Sequence, residues 1–184
     1  DLAAFEELVD RYKNRIFSVV YRMVGQYQEA EDITQEVFIH LYQKLYQFDR
    51  DKKFSPWVYR IACNTSITEL RKKKRIVWLE LDDVHSTAYD NQNIAADYDP
   101  LSHYEHEELR REIDAAIMEL PEAYRSVIIM RFQLDLNNQE IADVLGISKE
   151  NVEVKVHRAR KALRKVLVQR WNERGMPYEL PASK

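Results

Sequence analysis

A single cysteine, Cys63, stands in 184 residues. That excludes a disulfide framework and a zinc finger built on cysteine ligands. With 3 glycines in the whole chain, there is little material for a phosphate-cradling loop or for a sheet full of tight turns. No apolar run approaches the ~20 residues of a membrane span. No signal-peptide pattern is evident, although the chain opens mid-pattern at Asp1. Internal repeats and low-complexity tracts are absent too. Carboxylates are plentiful, but no nucleophile, glycine-rich loop or metal cluster singles any of them out, so nothing argues for an enzyme or for a cofactor. His103 and His106 lie three apart beside Glu107; without a third strong ligand they read as a solvated helix start, and no metal is expected.

What the chain does have is charge in blocks. The formal net charge is −3, from 28 basic and 31 acidic residues. Residues 1–49 hold 5 basic and 9 acidic groups, whereas residues 50–75 hold 9 basic and 2 acidic ones. Residues 76–109 hold 9 acids and no Lys or Arg, and residues 155–174 hold 8 basic groups and one acid. Two cationic blocks separated by an acidic one suggest two contacts with a polyanion.

Apolar periodicity assigns the elements. Leu2, Phe5, Leu8, Val9, Tyr12, Ile16, Val19, Val20 and Met23 recur at helical steps, and Gly25 offers a stop. Ala30, Ile33, Val37, Leu41 and Leu45 predict a second helix over 28–47. Ser55-Pro56 reads as the start of a third helix running to about Arg75, with the serine as cap. Cys63 falls within its apolar pattern and is expected to be a buried, inert thiol. Residues 76–105 show no sustained period and read as an acidic linker. Helical pattern resumes at about His103 and reaches Leu120; Pro121 starts a further helix.

The sharpest local motif is NQEIADVLGISKENVEVKVH, residues 138–157. A helix-turn-helix needs a small residue where its helices cross, a glycine at the turn, and inward apolar residues at fixed offsets. Ala142, Gly146, and Ile141, Leu145, Ile147 and Val152 meet those needs, with Ser148 placed to cap the second helix. The cations Lys155, Arg158, Arg160, Lys161, Arg164 and Lys165 then suit phosphate contacts. Glu153, near the start of the reading helix, repels phosphate but can accept from a cytosine amino group. The earlier basic block differs: Phe54, Trp57 and Tyr59 are interleaved with Arg60 and the cationic run Arg71 to Arg75. Flat side chains beside cations suit unpaired bases along a charged track; Trp57 and Tyr59 also suit a core.

Together these stretches resemble the extracytoplasmic-function sigma factors of bacterial RNA polymerase. AEDITQEVFIHLYQKLYQFD (30–49) is similar to their polymerase-clamp helix, FSPWVYRIACNTSITELRKKKR (54–75) to their promoter-melting and −10-reading segment, and residues 119–163 to their −35-reading domain. The resemblance implies an all-α protein of two small helical domains joined by a flexible linker, the second containing the helix-turn-helix. Its bounds would be 1–75, linker 76–105, 106–175, and a tail 176–184. It implies that Asp32, Gln35 and Glu36 bind the clamp of the beta-prime subunit. Phe48, Trp57, Arg60, Asn64, Arg71, Lys72 and Lys73 would serve the −10 element, and the loop 49–55 would capture a flipped base. Ser148, Asn151, Glu153, Val154, Lys155, His157, Arg158 and Lys161 would serve the −35 element. Many members have glycine-threonine where this chain has Glu150-Asn151, and a basic residue in place of Glu153, so the docking mode carries over and the base sequence does not. The implied partners are core polymerase, promoter DNA and an anti-sigma protein, in the cytoplasm and without membrane insertion. The rivals are a helix-turn-helix regulator with a ligand-binding or dimerising first half, and a helical enzyme; promoter-specific transcription by core polymerase separates them.

Overall fold

A computed structural model describes residues 2–73 and 104–175, with side chains from residue 108 in the second stretch. Most of the acidic stretch, Lys74, Arg75, His103 and the tail 176–184 lie outside the described residues, as does the side chain of His106.

The first lobe is a three-helix unit. Helix α1 spans Leu2–Val24, α2 spans Tyr27–Lys44 and α3 spans Phe54–Lys72. Gly25 takes φ 81°, a left-handed conformation open to glycine at little cost, and its N–H closes the last turn of α1 on the Tyr21 carbonyl at 2.7 Å. A 3₁₀ turn, Leu45–Gln47, finishes α2. Ile16, Val20, Met23, Ile33, Val37, Leu41, Val58, Ala62, Ile67 and Leu70 are buried where the three apolar stripes meet. Each of these side chains apart from Ala62 contributes roughly 1.5–3 kcal/mol of transfer free energy.

One expectation fails at the start of α3. The helix begins at Phe54, one residue before Ser55, and Lys53 is its cap residue, without a side-chain cap bond. The serine hydroxyl instead pairs with the Tyr12 hydroxyl of α1 at 2.8 Å. A tertiary partner outcompeted the local N–H, which the free start of a helix could not reveal from sequence.

The second lobe contains α4 (Tyr104–Met118), α5 (Glu122–Ile128), α6 (Asn138–Leu145) and α7 (Lys149–Glu173). Helix α5 passes directly into a π turn, Ile129–Gln133. Helix α6 opens with a reciprocal cap: Asn137 Oδ1 accepts from the Glu140 N–H at 3.0 Å, and Glu140 Oε2 accepts from the Asn137 N–H at 2.9 Å. Gly146, at φ 60° and ψ 39°, reverses the chain. Ser148 Oγ then accepts from the Asn151 N–H at 3.3 Å and starts α7. Ile141, Ala142, Leu145 and Val152 are buried and Ile147 packs against them, so the helix-turn-helix offsets read from the sequence hold in space. Helix α7 packs on α4, α5 and α6. Its distal end is held by Arg170, whose Nε lies 3.2 Å from Glu112 Oε2 and which also pairs with Glu119.

The two lobes touch. Helix α3 packs on α6, and α1 on α5. Their buried apolar side chains form one contiguous set.

Candidate nucleic-acid interface

On α2, Asp32 and Gln35 are exposed and Glu36 is half-buried, whereas Ile33, Val37 and Leu41 are buried on the opposite side. The structure thus joins the three residues in one acidic face. It extends that face in a way the sequence reading missed: Ile39, Tyr42 and Tyr46 are exposed, by 57%, 59% and 82%. Ile39 falls three residues after Glu36, so helical spacing alone could have found it. Tyr42 is held edge-on by Phe5 of α1, ring centroids 5.0 Å apart.

A groove of about 150 Å³ runs between α2 and α3, lined by Glu36, His40, Asn64, Thr65 and Glu69 among others. His40 Nδ1 lies 3.1 Å from Thr65 Oγ1, which fixes the imidazole against α3. The groove places Asn64, exposed in mid-α3, on the same side as Glu36.

Phe48, Phe54 and Trp57 form one aromatic cluster. The Phe48 and Trp57 rings are 5.1 Å apart, Phe48 and Phe54 5.1 Å, and Phe54 and Trp57 5.7 Å. Trp57 is half-buried in that cluster and is packed as a core-edge residue. The cluster pins both ends of loop 49–55.

Among the described residues, the cations of α3 from Arg60 onward and its C-terminal cap residue Lys73 are engaged by protein. Lys72 pairs with Glu69, whose hydrogen bond and charge raise the lysine above its ordinary pKa. Lys73 Nζ lies 2.9 Å from Oε1 of the buried Glu29. Arg60 Nη2 donates to Glu140 Oε1 at 2.7 Å, and Arg71 donates to the Leu145 carbonyl. Both of those acceptors belong to α6, in the other lobe.

On the second lobe Ser148, Asn151, Glu153, Val154, His157, Arg158 and Lys161 are exposed along the first half of α7, and Lys155 is half-buried. Partial burial, and then the nearby Arg158 charge, lower the Lys155 pKa. Ser148 acts as the cap of α7, which holds its hydroxyl at the helix start. Glu153 is oriented from below: Asn138 Nδ2 donates to Glu153 Oε1 at 3.1 Å. That aiming contact, between residues 15 apart, has no signal in the sequence.

A helix-turn-helix with an exposed cationic second helix, beside a three-helix lobe bearing an acidic helix face and an aromatic–cationic helix, defines a DNA-binding protein of modular helical build. Residues 8–76 match the family model "Sigma-70 region 2" and residues 110–163 match "Sigma-70, region 4". The ECF RNA polymerase sigma factor SigW of Bacillus subtilis is 40% identical over 91% of this chain and 90% of its own length. The RNA polymerase sigma-H factor of Pseudomonas aeruginosa is 34% identical over 91% and 88%. The chain belongs to the extracytoplasmic-function sigma factors of RNA polymerase. Two solved structures share the fold. The sigma factor RpoE in complex with the anti-sigma factor NepR from Bartonella quintana aligns with a TM-score of 0.61 at 19% identity, over 89% of this chain and 96% of that one. CnrH in complex with the cytosolic domain of CnrY aligns with 0.53 at 23%, over 91% and 89%. As a sigma factor, the protein directs core polymerase to specific promoters, its region 2 and region 4 lobes binding core and promoter DNA.

Proposed function

We propose that the labour is divided by lobe. The exposed face of α2, with Asp32, Gln35 and Glu36, grips the polymerase clamp, and Ile39 and Tyr46 add apolar contact beside those charges. Arg60, Asn64, Arg71, Lys72 and Lys73 of α3 track the melted −10 strand. Phe48, with Trp57 behind it, shapes loop 49–55 for a flipped base. Helix α7 enters the major groove at −35, with Asn151, Val154, His157 and Arg158 at the bases, and Lys155 and Lys161 at phosphates. Glu153, aimed by Asn138, accepts from a cytosine amino group. The single observation that carries this reading is the pairing of an acidic, partly apolar exposed helix face with two separate cationic surfaces.

The protein catalyses no reaction in this scheme. Its binding free energy offsets the few kcal/mol per step needed to unstack and unpair bases. Each lobe raises the effective concentration of the other once both are held on one polymerase. The lobes take the bounds 1–75 and 106–175, with 76–105 as linker and 176–184 as tail; the matched regions 8–76 and 110–163 support two such units. No helix among the described residues is long and apolar enough to cross a membrane, in keeping with work in the cytoplasm. The two structural relatives are described in complexes with an anti-sigma factor or a cytosolic partner domain, and an anti-sigma protein covering these faces would hold this chain inactive.

Reconstituted transcription tests the proposal. Core polymerase, this protein and a promoter library randomised in both elements should yield promoter-specific transcripts with a consensus at −35 and −10. A library that yields no enriched promoter overturns it. A helix-turn-helix regulator would instead form a stable promoter complex without polymerase.

A further inference from the structure

We propose that His40 is a positioning residue for −10 reading: its imidazole pins α3 to α2 at the turn that carries Asn64, so that the polymerase-gripping helix sets where that amide stands. The inference rests on the roles given above to Asn64 at the −10 element and to the Glu36 face at the clamp.

The hydrogen bond runs in one direction. Thr65 is buried, and its hydroxyl has a single proton, which it donates to the Ile61 carbonyl at 3.0 Å. Toward His40, 3.1 Å away, Thr65 Oγ1 therefore accepts, and His40 Nδ1 carries the hydrogen. The neutral Nδ1–H tautomer and the imidazolium both make this bond. The other ring nitrogen, Nε2, lies 3.9 Å from Glu36 Oε1, one turn earlier on α2. The imidazole thus stands between the acidic face of α2 and the residue next to Asn64. Asn64 is exposed at that turn, and its carbonyl accepts from the Thr68 hydroxyl at 2.8 Å.

Apolar burial alone does not set this register. Ile33, Val37 and Ile61 hold α3 on α2, but the hydrophobic effect has no direction, whereas a hydrogen bond weakens steeply off its axis. A side chain that reads a base must be held to about 0.5 Å by its supporting residues. Lys73 ties the far end of α3 to Glu29 at 2.9 Å, roughly two turns beyond Thr65. His40 supplies the tie beside Asn64.

The test uses the holoenzyme and a promoter library randomised in both elements. Asn64→Ala marks the −10 base pair that Asn64 reads. His40→Leu should relax that same pair by about threefold to tenfold, the span of one hydrogen bond, with the −35 preference and core affinity as in the wild type. His40→Asn, whose amide N–H stands near the place of Nδ1, should restore the preference. Thr65→Val, which removes the acceptor, should match His40→Leu, and the two together should be non-additive. Wild-type preference in His40→Leu overturns the proposal. So does a His40→Asn variant as relaxed as His40→Leu, which would leave the hydrogen bond without effect. Relaxation of both elements alike overturns it as well, since that marks a damaged fold. If Asn64→Ala itself leaves every −10 preference intact, the assignment of Asn64 falls first and takes the role of His40 with it.

Discussion

Cys63 sits at 0% exposure among the apolar residues of α3, and burial pushes its thiol up to about 12. The thiolate is the reactive form, so the folded protein should resist iodoacetamide at pH 8 and react promptly once unfolded in guanidinium. Fast labelling of the native chain would refute its burial. The linkage has a definite sign. The folded pKa lies above the unfolded one, so the associated stability is complete below about pH 9 and is lost as pH rises towards 12. On α2, Asp32→Ala combined with Glu36→Ala should weaken binding to core polymerase while circular dichroism and the melting midpoint stay unchanged, because neither side chain supports the core. Unchanged core affinity in a competition assay would remove these two residues from the clamp surface. For Glu153, a promoter selection with Glu153→Ala should lose its preference at one base pair of the −35 element. Asn138→Ala should relax the same pair, since it aims that carboxylate.

At the scale of elements, the helix-turn-helix depends on a single backbone conformation. Gly146 adopts φ 60°, and a Cβ placed there would meet nothing within 4 Å. The cost of Gly146→Ala is therefore backbone strain alone, about 1–2 kcal/mol. Urea unfolding should show that loss with an unchanged slope; no loss would mean that the turn relaxes to another geometry. Helix α7 is anchored far from its reading end. Partial burial works against the charge of Arg170, yet Glu119 and Glu112 together hold its pKa above the ordinary value. Those carboxylates fix the distal end of the helix against α4, so the exposed half is presented as a rigid rod.

At the scale of the molecule, two lobes that match two separate family regions are welded by a continuous apolar contact and by Arg22, Arg60 and Arg71. Calorimetry of the full chain should accordingly give one transition, with calorimetric and van't Hoff enthalpies in agreement. Arg22→Ala, which removes the tie to Asp114 and Gln133, should broaden or split that transition. Two resolved transitions in the wild type would show that the lobes melt independently and that their contact is weak.

Much of this architecture is local, and local features are legible in residues. The stripe from Phe5 to Met23, the stop at Gly25, and the Ala142–Gly146–Ser148 punctuation all act over one to four positions, the range of a helix hydrogen bond or a cap. The acidic face of α2 follows from the same periodicity. Other features depend on chains meeting in space. Ser55 gave up its cap for Tyr12, which is 43 residues away. The partners of Arg60 and Arg71 come from residues 80 and 74 positions on. A cation's sequence neighbours say that it wants an anion and say nothing of which one arrives; packing of the two lobes made that choice, and it gave the cations of α3 protein acceptors.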